Sequence, residues 1–113
     1  ADRVNIVRYW AHKWDKVIVL KGAYTVIGDP SGLVRVSPFA NAALASAGTG
    51  DVLAGIIAGL LAQGLSTFDA ATCAVYIHGS AGDMASQEIG KVGVVASDLL
   101  PRLPQAIKYL ERD

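Results

Sequence analysis

The sequence predicts an α/β fold rich in helix, and three observations carry that prediction. Val17-Ile18-Val19-Leu20 is a continuous, mostly β-branched run of the kind found in strands covered on both faces. Thr25-Val26-Ile27 and Leu33-Val34-Arg35-Val36 flank Gly28-Asp29-Pro30-Ser31-Gly32, in which proline presets a turn dihedral and glycine permits a positive one. From Val52 onward, apolar residues recur at helical spacing through most of the remaining chain.

The first element is a helix over residues 3–14, where Val4, Val7, Tyr9, Trp10 and Trp14 recur at mixed helical spacing. Aromatic residues usually serve burial, so Trp10, Trp14 and His12 are expected on its packing face. The strand at 17–20 follows, and the 25–36 segment reads as a hairpin. All strands then fall in the first third of the chain. A strand of parallel type has no parallel partner here, so further strands are expected from a preceding segment, a second chain or an exchange between protomers.

Pro38 to Ala47 shows no sustained period and reads as a loop. The next helix carries Val52, Leu53, Ile56, Ile57, Leu60 and Leu61 and stops at Gly64. Gly55, Ala58 and Gly59 lie on it, and each glycine costs up to about 1 kcal/mol of helical propensity. A compensating close approach of another element is expected, with this helix central. A further helix starts at Ser66 or Thr67 with Asp69 in its first turn, and runs through Ala70, Ala71, Ala74, Val75 and Ile77 toward Met84. After the break at Gly90 to Gly93, Ser97-Asp98 reads as an N-cap for a last helical region that Pro101 and Pro104 divide. There is no internal repeat and no linker.

The chain has 113 residues, 52% of them hydrophobic and 18% charged, which fits one globular domain and excludes a disordered segment. Ten basic and ten acidic residues cancel, which argues against nucleic acid or an anionic membrane surface as partner. The longest apolar stretch, Val52 to Ala62, falls short of a membrane span, and the first residues lack a signal-peptide pattern, so a cytoplasmic location is expected. Cys73 has no second cysteine to pair with and is expected to be a small buried hydrophobe. His78 has no companion at metal-ligand spacing, so a core or interhelix hydrogen bond is expected of it, and Asp83 either extends that polar cluster or ends the helix.

Chemistry concentrates at Ala47-Gly48-Thr49-Gly50-Asp51, immediately ahead of the 52–64 helix. Glycines let the backbone approach a ligand, and the first amides of a helix lack intrahelical partners. With the helix dipole they make an anion site suited to phosphate. Asp51 falls beside it, where a carboxylate can take the proton of a hydroxyl attacking phosphorus. Local chemistry leaves a second reading open, in which Thr49 caps the helix and Asp51 complements its dipole. Lys21, at the carboxyl end of a strand, faces a similar choice between ligand contact and ordinary solvation.

Four blocks in order supply a resemblance. They are Val19-Leu20-Lys21-Gly22-Ala23-Tyr24-Thr25, then the run from Asn41 to Gly64 around Ala47-Gly48-Thr49-Gly50-Asp51-Val52-Leu53-Ala54-Gly55, then His78-Gly79-Ser80-Ala81-Gly82-Asp83 and Ala96-Ser97-Asp98-Leu99. Together they resemble the ADP- or ATP-dependent NAD(P)HX dehydratases, a branch of the ribokinase-like superfamily. The resemblance covers about residues 17–110, and the family's N-terminal half, with its His-Pro-Gly segment, has no counterpart here.

The resemblance implies the C-terminal part of a ribokinase-like three-layer sandwich, helix-rich, with residues 1–113 as the nucleotide-binding portion of one domain. It implies repair of hydrated NADH or NADPH: ADP or ATP phosphorylates the ring hydroxyl, phosphate leaves, and Mg²⁺ bridges the nucleotide's phosphates. Asp51 matches the catalytic aspartate, which also contacts the hydrated dinucleotide. Lys21, Gly22, Ala23, Tyr24, Thr25 and Gly50 match adenine-nucleotide contacts, and Gly48 and Thr49 complete the anion hole. Asn41 matches a substrate contact, although Ala40-Asn41-Ala42 replaces the family's Gly-Asn-Pro and loses proline's fixed dihedral. A homo-oligomer, or association with the remaining N-terminal portion, is the implied assembly. Two other functions fit the same turn: a small-molecule kinase of the superfamily acting on a thiazole or hydroxymethylpyrimidine alcohol, and a noncatalytic assembly module.

Overall fold

The computed structural model describes residues 2–40, 49–90 and 96–110. In chain order the elements are α1 (Arg3–Trp14), β1 (Ile18–Leu20), β2 (Val26–Gly28), β3 (Val34–Val36), α2 (Thr49–Ala62), α3 (Thr67–Ile89), α4 (Ala96–Leu99), a 3₁₀ turn at Leu100–Arg102, and α5 (Leu103–Leu110). The three strands form one sheet in the order β1-β2-β3.

Both strand pairs are antiparallel, with Val19 opposite Ile27 and Ile27 opposite Arg35. This corrects the expectation that the 17–20 run lacks a partner within the chain. It joins the hairpin as a third antiparallel strand, and its residues are half-buried instead of fully covered. An apolar β-branched run has the same appearance whichever direction its neighbour takes, which is why the sequence misled here.

Alternation along the strands divides the sheet into two faces. Val26 and Gly28 face α1, where a Cβ on Gly28 would lie 2.5 Å from Val7 Cγ1, so glycine lets the helix sit directly on the strand. On the other face Ile27 joins Leu53, Phe68, Ala71, Ala74 and Val75, with Val17 and Val19 packed alongside. All of β2 is therefore buried, and the sheet is the middle layer between α1 and the α2–α3 pair. Arg35 extends that face: its guanidinium stacks 4.1 Å from the Phe68 ring centroid and meets Asp69 at 3.2 Å and Thr72 at 3.0 Å.

The face of α1 that packs consists of Val7 and Ala11, not the aromatic residues. His12 and Trp14 are exposed, Trp14 to 56%, and Tyr9, Trp10 and Trp14 stack on one another along the outer side. The packed position opposite Gly28 has room only for a small or β-branched side chain, which excludes an indole. Asp15 ends α1 in the left-handed conformation, with amide bonds at this end reaching back to Ala11 and His12.

The central helix is α3 rather than α2. Its buried positions include Phe68, Ala71, Ala74, Ile77, His78, Ala81 and Ala85, and they lie on several sides because the sheet, α2 and α5 all pack on it. Ser66 caps it, accepting from the Asp69 amide at 3.2 Å. It continues past Met84 to Ile89, so Asp83 stands within it, half-buried, and does not end it. A second core lies between α3, α2, α4 and α5, where Ile77, Ala81, Ala85, Leu99 and Ala106 meet Val52, Ile56 and Leu103.

The expected close approach to α2 is absent: nothing among the described residues lies within 4 Å of a Cβ placed on Gly55 or Gly59, and Ala58 is exposed. Cys73 is half-buried where full burial was expected. Ser97 lies inside α4, which begins one residue earlier. Pro101 and Pro104 divide the final helical region as expected, into α4, a 3₁₀ turn and α5. No helix among the described residues is long and apolar enough to cross a membrane.

Between β2 and β3, Asp29 organises the turn. Its Oδ1 accepts from the Ser31 hydroxyl at 2.6 Å, the Ser31 amide at 2.9 Å and the Leu33 amide at 3.2 Å. These bonds, the Ser31 hydroxyl foremost, favour the ionised form and hold the carboxyl below its ordinary range.

Candidate functional site

β1 ends at Leu20, and the chain turns sharply through Lys21, Gly22, Ala23 and Tyr24 before entering β2. Gly22 takes φ +143°, open chiefly to glycine, and Tyr24 takes φ +53°, unusual for a residue with a side chain. Two bonds lock this turn from within and from the far side. The Thr25 hydroxyl donates to the Gly22 carbonyl at 3.0 Å, and the Tyr24 amide donates to the Phe39 carbonyl at 2.8 Å.

Phe39 is itself fixed by α3. A Cβ on Gly79 would stand 2.7 Å from Phe39 Cγ, so the ring lies flush on the glycine backbone, and its other edge meets Tyr76 with ring centroids 5.3 Å apart. On the opposite side the Arg3 guanidinium reaches under the turn. Nη1 donates to the Ala23 carbonyl at 2.6 Å and the Tyr24 carbonyl at 3.4 Å, and Nη2 donates to Leu20 at 3.0 Å and Lys21 at 3.2 Å.

The turn delivers Lys21 to the start of α2. Lys21 Nζ lies 2.8 Å from where a Cβ of Gly50 would stand, so the ammonium rests against the glycine backbone in the helix's first turn. Thr49 is the first residue of α2 and Asp51 lies in its first turn. Asp51 is exposed and makes no hydrogen bond or ion pair among the described residues. A lysine ammonium therefore rests on the start of a helix, whose first amides lack intrahelical acceptors, and the Asp51 carboxylate follows one residue further along that turn. Positive charge, open donors and a proton acceptor are what an incoming phosphoryl group and its attacking hydroxyl require.

Of the residues singled out from sequence, Lys21 and Gly50 are brought into contact, with Gly22, Ala23, Tyr24 and Thr25 forming the turn that carries Lys21. Asn41 and Gly48 lie outside the described residues. His78 is buried in α3 and partnered, in keeping with a structural role. Arg3 and Phe39 escaped the sequence reading, and Gly79, quoted within a matching block, was given no role there. Arg3 alone left a signal, since a cation in the first turn of a helix opposes the dipole and asks for another reason to be there. Next to Phe39 lies a cleft of about 320 Å³ lined by Ser80, Asp83, Met84, Gln87, Glu88 and Gln105. No group of three or more potential metal ligands exists among the described residues.

Fold and site define an α/β protein that sets a lysine at the end of a strand against the glycine-bearing start of a helix, where the helix dipole and its first amides favour an anionic ligand. The chain belongs to the NAD(P)H-hydrate dehydratase family, whose model matches residues 1–105. It is 46% identical over 112 residues to a bifunctional NAD(P)H-hydrate repair enzyme of Moorella thermoacetica, covering 99% of this chain and 21% of that protein. It is 40% identical over 102 residues to an ADP-dependent (S)-NAD(P)H-hydrate dehydratase of Neisseria meningitidis, covering 89% of this chain and 34% of that one. The crystal structure of an ADP/ATP-dependent NAD(P)H-hydrate dehydratase from Bacillus subtilis, co-crystallised with ATP and Mg²⁺, superposes with a TM-score of 0.90 at 37% identity. That match covers 96% of this chain and 39% of the other. The chain thus spans between about a fifth and two-fifths of the length of these relatives.

Proposed function

We propose that this chain supplies the nucleotide side of an ADP- or ATP-dependent dehydration that restores hydrated NADH or NADPH. The observation that carries the reading is the placement of Lys21 Nζ against Gly50 at the start of α2, with the exposed Asp51 the next residue in the same first turn. Family membership supplies the substrate class, through relatives named for acting on NAD(P)H-hydrate.

In this account Lys21, the Gly50 amide and the turn from Gly22 to Thr25 hold the nucleotide's phosphates. Asp51 accepts the proton of the hydroxyl on the hydrated ring, and that oxygen attacks the terminal phosphorus as the bond to the nucleotide breaks. The ammonium and the helix amides take up the charge developing on the transferred group, while the nucleotide departs with one phosphate fewer. The ring carbon–oxygen bond then breaks, phosphate leaves, a ring proton is lost and the double bond returns. No cluster of three or more potential ligands exists among the described residues, so Mg²⁺ would be held by the Asp51 carboxylate together with the nucleotide's own phosphates, and would neutralise phosphate charge.

The test is to incubate the polypeptide carrying this sequence with hydrated NADH and either ADP or ATP, and to follow the reduced-nicotinamide absorbance. Recovery with release of inorganic phosphate is expected. A stable phosphorylated product without recovery identifies a kinase instead, and no reaction with either nucleotide refutes the proposal.

A further inference from the structure

We infer that Arg3 is a positioning residue that holds the Lys21–Thr25 turn in its anion-receiving shape. The inference rests on the nucleotide-binding reading of that turn. Arg3 opens α1, where the helix start is already positive, so its cation weakens the local dipole interaction and gains nothing from its own helix. What it gains lies across the fold: the two guanidinium ends face the carbonyls of Leu20, Lys21, Ala23 and Tyr24. Only a planar fork with several fixed donors can engage so many acceptors at once.

The consequence for the turn follows from peptide geometry. In a planar trans peptide the carbonyl of one residue and the N–H of the next point in opposite directions. Drawing the Leu20, Lys21, Ala23 and Tyr24 carbonyls toward Arg3 therefore turns the N–H groups of Lys21, Gly22, Tyr24 and Thr25 away from it. The Tyr24 N–H is taken by Phe39. The Gly22 N–H has no acceptor among the described residues, and it sits one residue from the lysine whose ammonium rests on Gly50.

Gly22 also explains why the guanidinium fits. A Cβ there would come within 3.2 Å of Arg3 Nη2, and the backbone at φ +143° suits glycine in any case. Arg3 thus stands behind the turn without touching the ligand side, and acts through Lys21 and the Gly22 amide.

The experiment compares Arg3→Met and Arg3→Lys with Arg8→Met in the full polypeptide. Arg8 lies on the same helix and bonds to Gly32 and Asn5, away from the turn. Arg3→Met should raise the nucleotide KM by about tenfold or more, the scale of losing charge-assisted hydrogen bonds, with kcat changed far less. Arg3→Lys should fall between wild type and Arg3→Met, because the charge stays and the fork is lost, and Arg8→Met should leave the nucleotide KM unchanged. Hydrogen exchange without nucleotide should show faster exchange confined to residues 21–25 in Arg3→Met. If exchange there is unchanged, or if Arg8→Met raises KM as much as Arg3→Met, the inference is overturned. A wild-type protein with no nucleotide dependence would defeat the proposed function instead, and the exchange comparison would still decide whether Arg3 holds the turn.

Discussion

Replacing Gly59 and Gly79 by alanine should move stability in opposite directions, although both glycines lie inside helices. An interior Gly→Ala change gains about 1 kcal/mol when the added methyl meets nothing. Gly59 meets that condition, since nothing among the described residues lies within 4 Å of the new Cβ. At Gly79 the methyl would stand 2.7 Å from Phe39 Cγ and 3.0 Å from Phe39 Cβ. Cδ2 of the ring stands closer still, and carbon atoms prefer about 3.5–4.0 Å, so the ring must retreat by more than about 1 Å. Tyr76 and the Tyr24–Phe39 bond restrict that retreat. Overlap with three Phe39 atoms, Cδ2 the nearest, places the cost near the upper end of the overpacking range, about 3 kcal/mol, leaving a net loss of about 2 kcal/mol. Urea titrations followed by circular dichroism should show the midpoint rising for Gly59→Ala and falling for Gly79→Ala, a separation of about 3 kcal/mol at equal slope. If both variants shift the same way, the Phe39–Gly79 contact does not hold the turn's support in place.

Further outcomes follow from the turns and caps. Asp29 has a folded-state pKa below its unfolded value, so its contribution to stability is fully present above the unfolded value and fades as pH falls toward the folded one. Asp29→Asn should therefore flatten the loss of stability between neutral pH and acid, measured by denaturation at several pH values. Ser66→Ala removes the acceptor for the Asp69 amide and should cost about 1 kcal/mol in the same assay.

Features set by neighbouring residues were legible in the sequence. The Ser66 cap, the Asp29-Pro30-Ser31-Gly32 turn and the extent of α1 all depend on contacts a few positions apart, and they stand where the residues predict. Pairing direction was not legible, because Val17 to Leu20 would look the same beside a parallel or an antiparallel neighbour. The packing face of α1 was misread for a related reason: aromatic residues announce burial, yet the space over Gly28 admits Val7 and not an indole. At the site, Lys21 and Gly50 were each marked by local context, while their contact is a product of the fold. Arg3 against the turn, and Phe39 on Gly79, join segments about 20 and 40 residues apart in sequence, and neither spacing nor composition records them.

The central claim is that the start of α2 pairs a phosphate-holding lysine with a proton-accepting aspartate. Single-turnover measurement of Asp51→Asn in the full polypeptide, with nucleotide affinity determined on the same sample, tests it most directly. Nucleotide should bind with nearly unchanged affinity, because Lys21 and the helix amides remain, while restoration of hydrated NADH slows by about 10²–10⁴-fold. Turnover that survives the substitution at close to the wild-type rate would contradict the account.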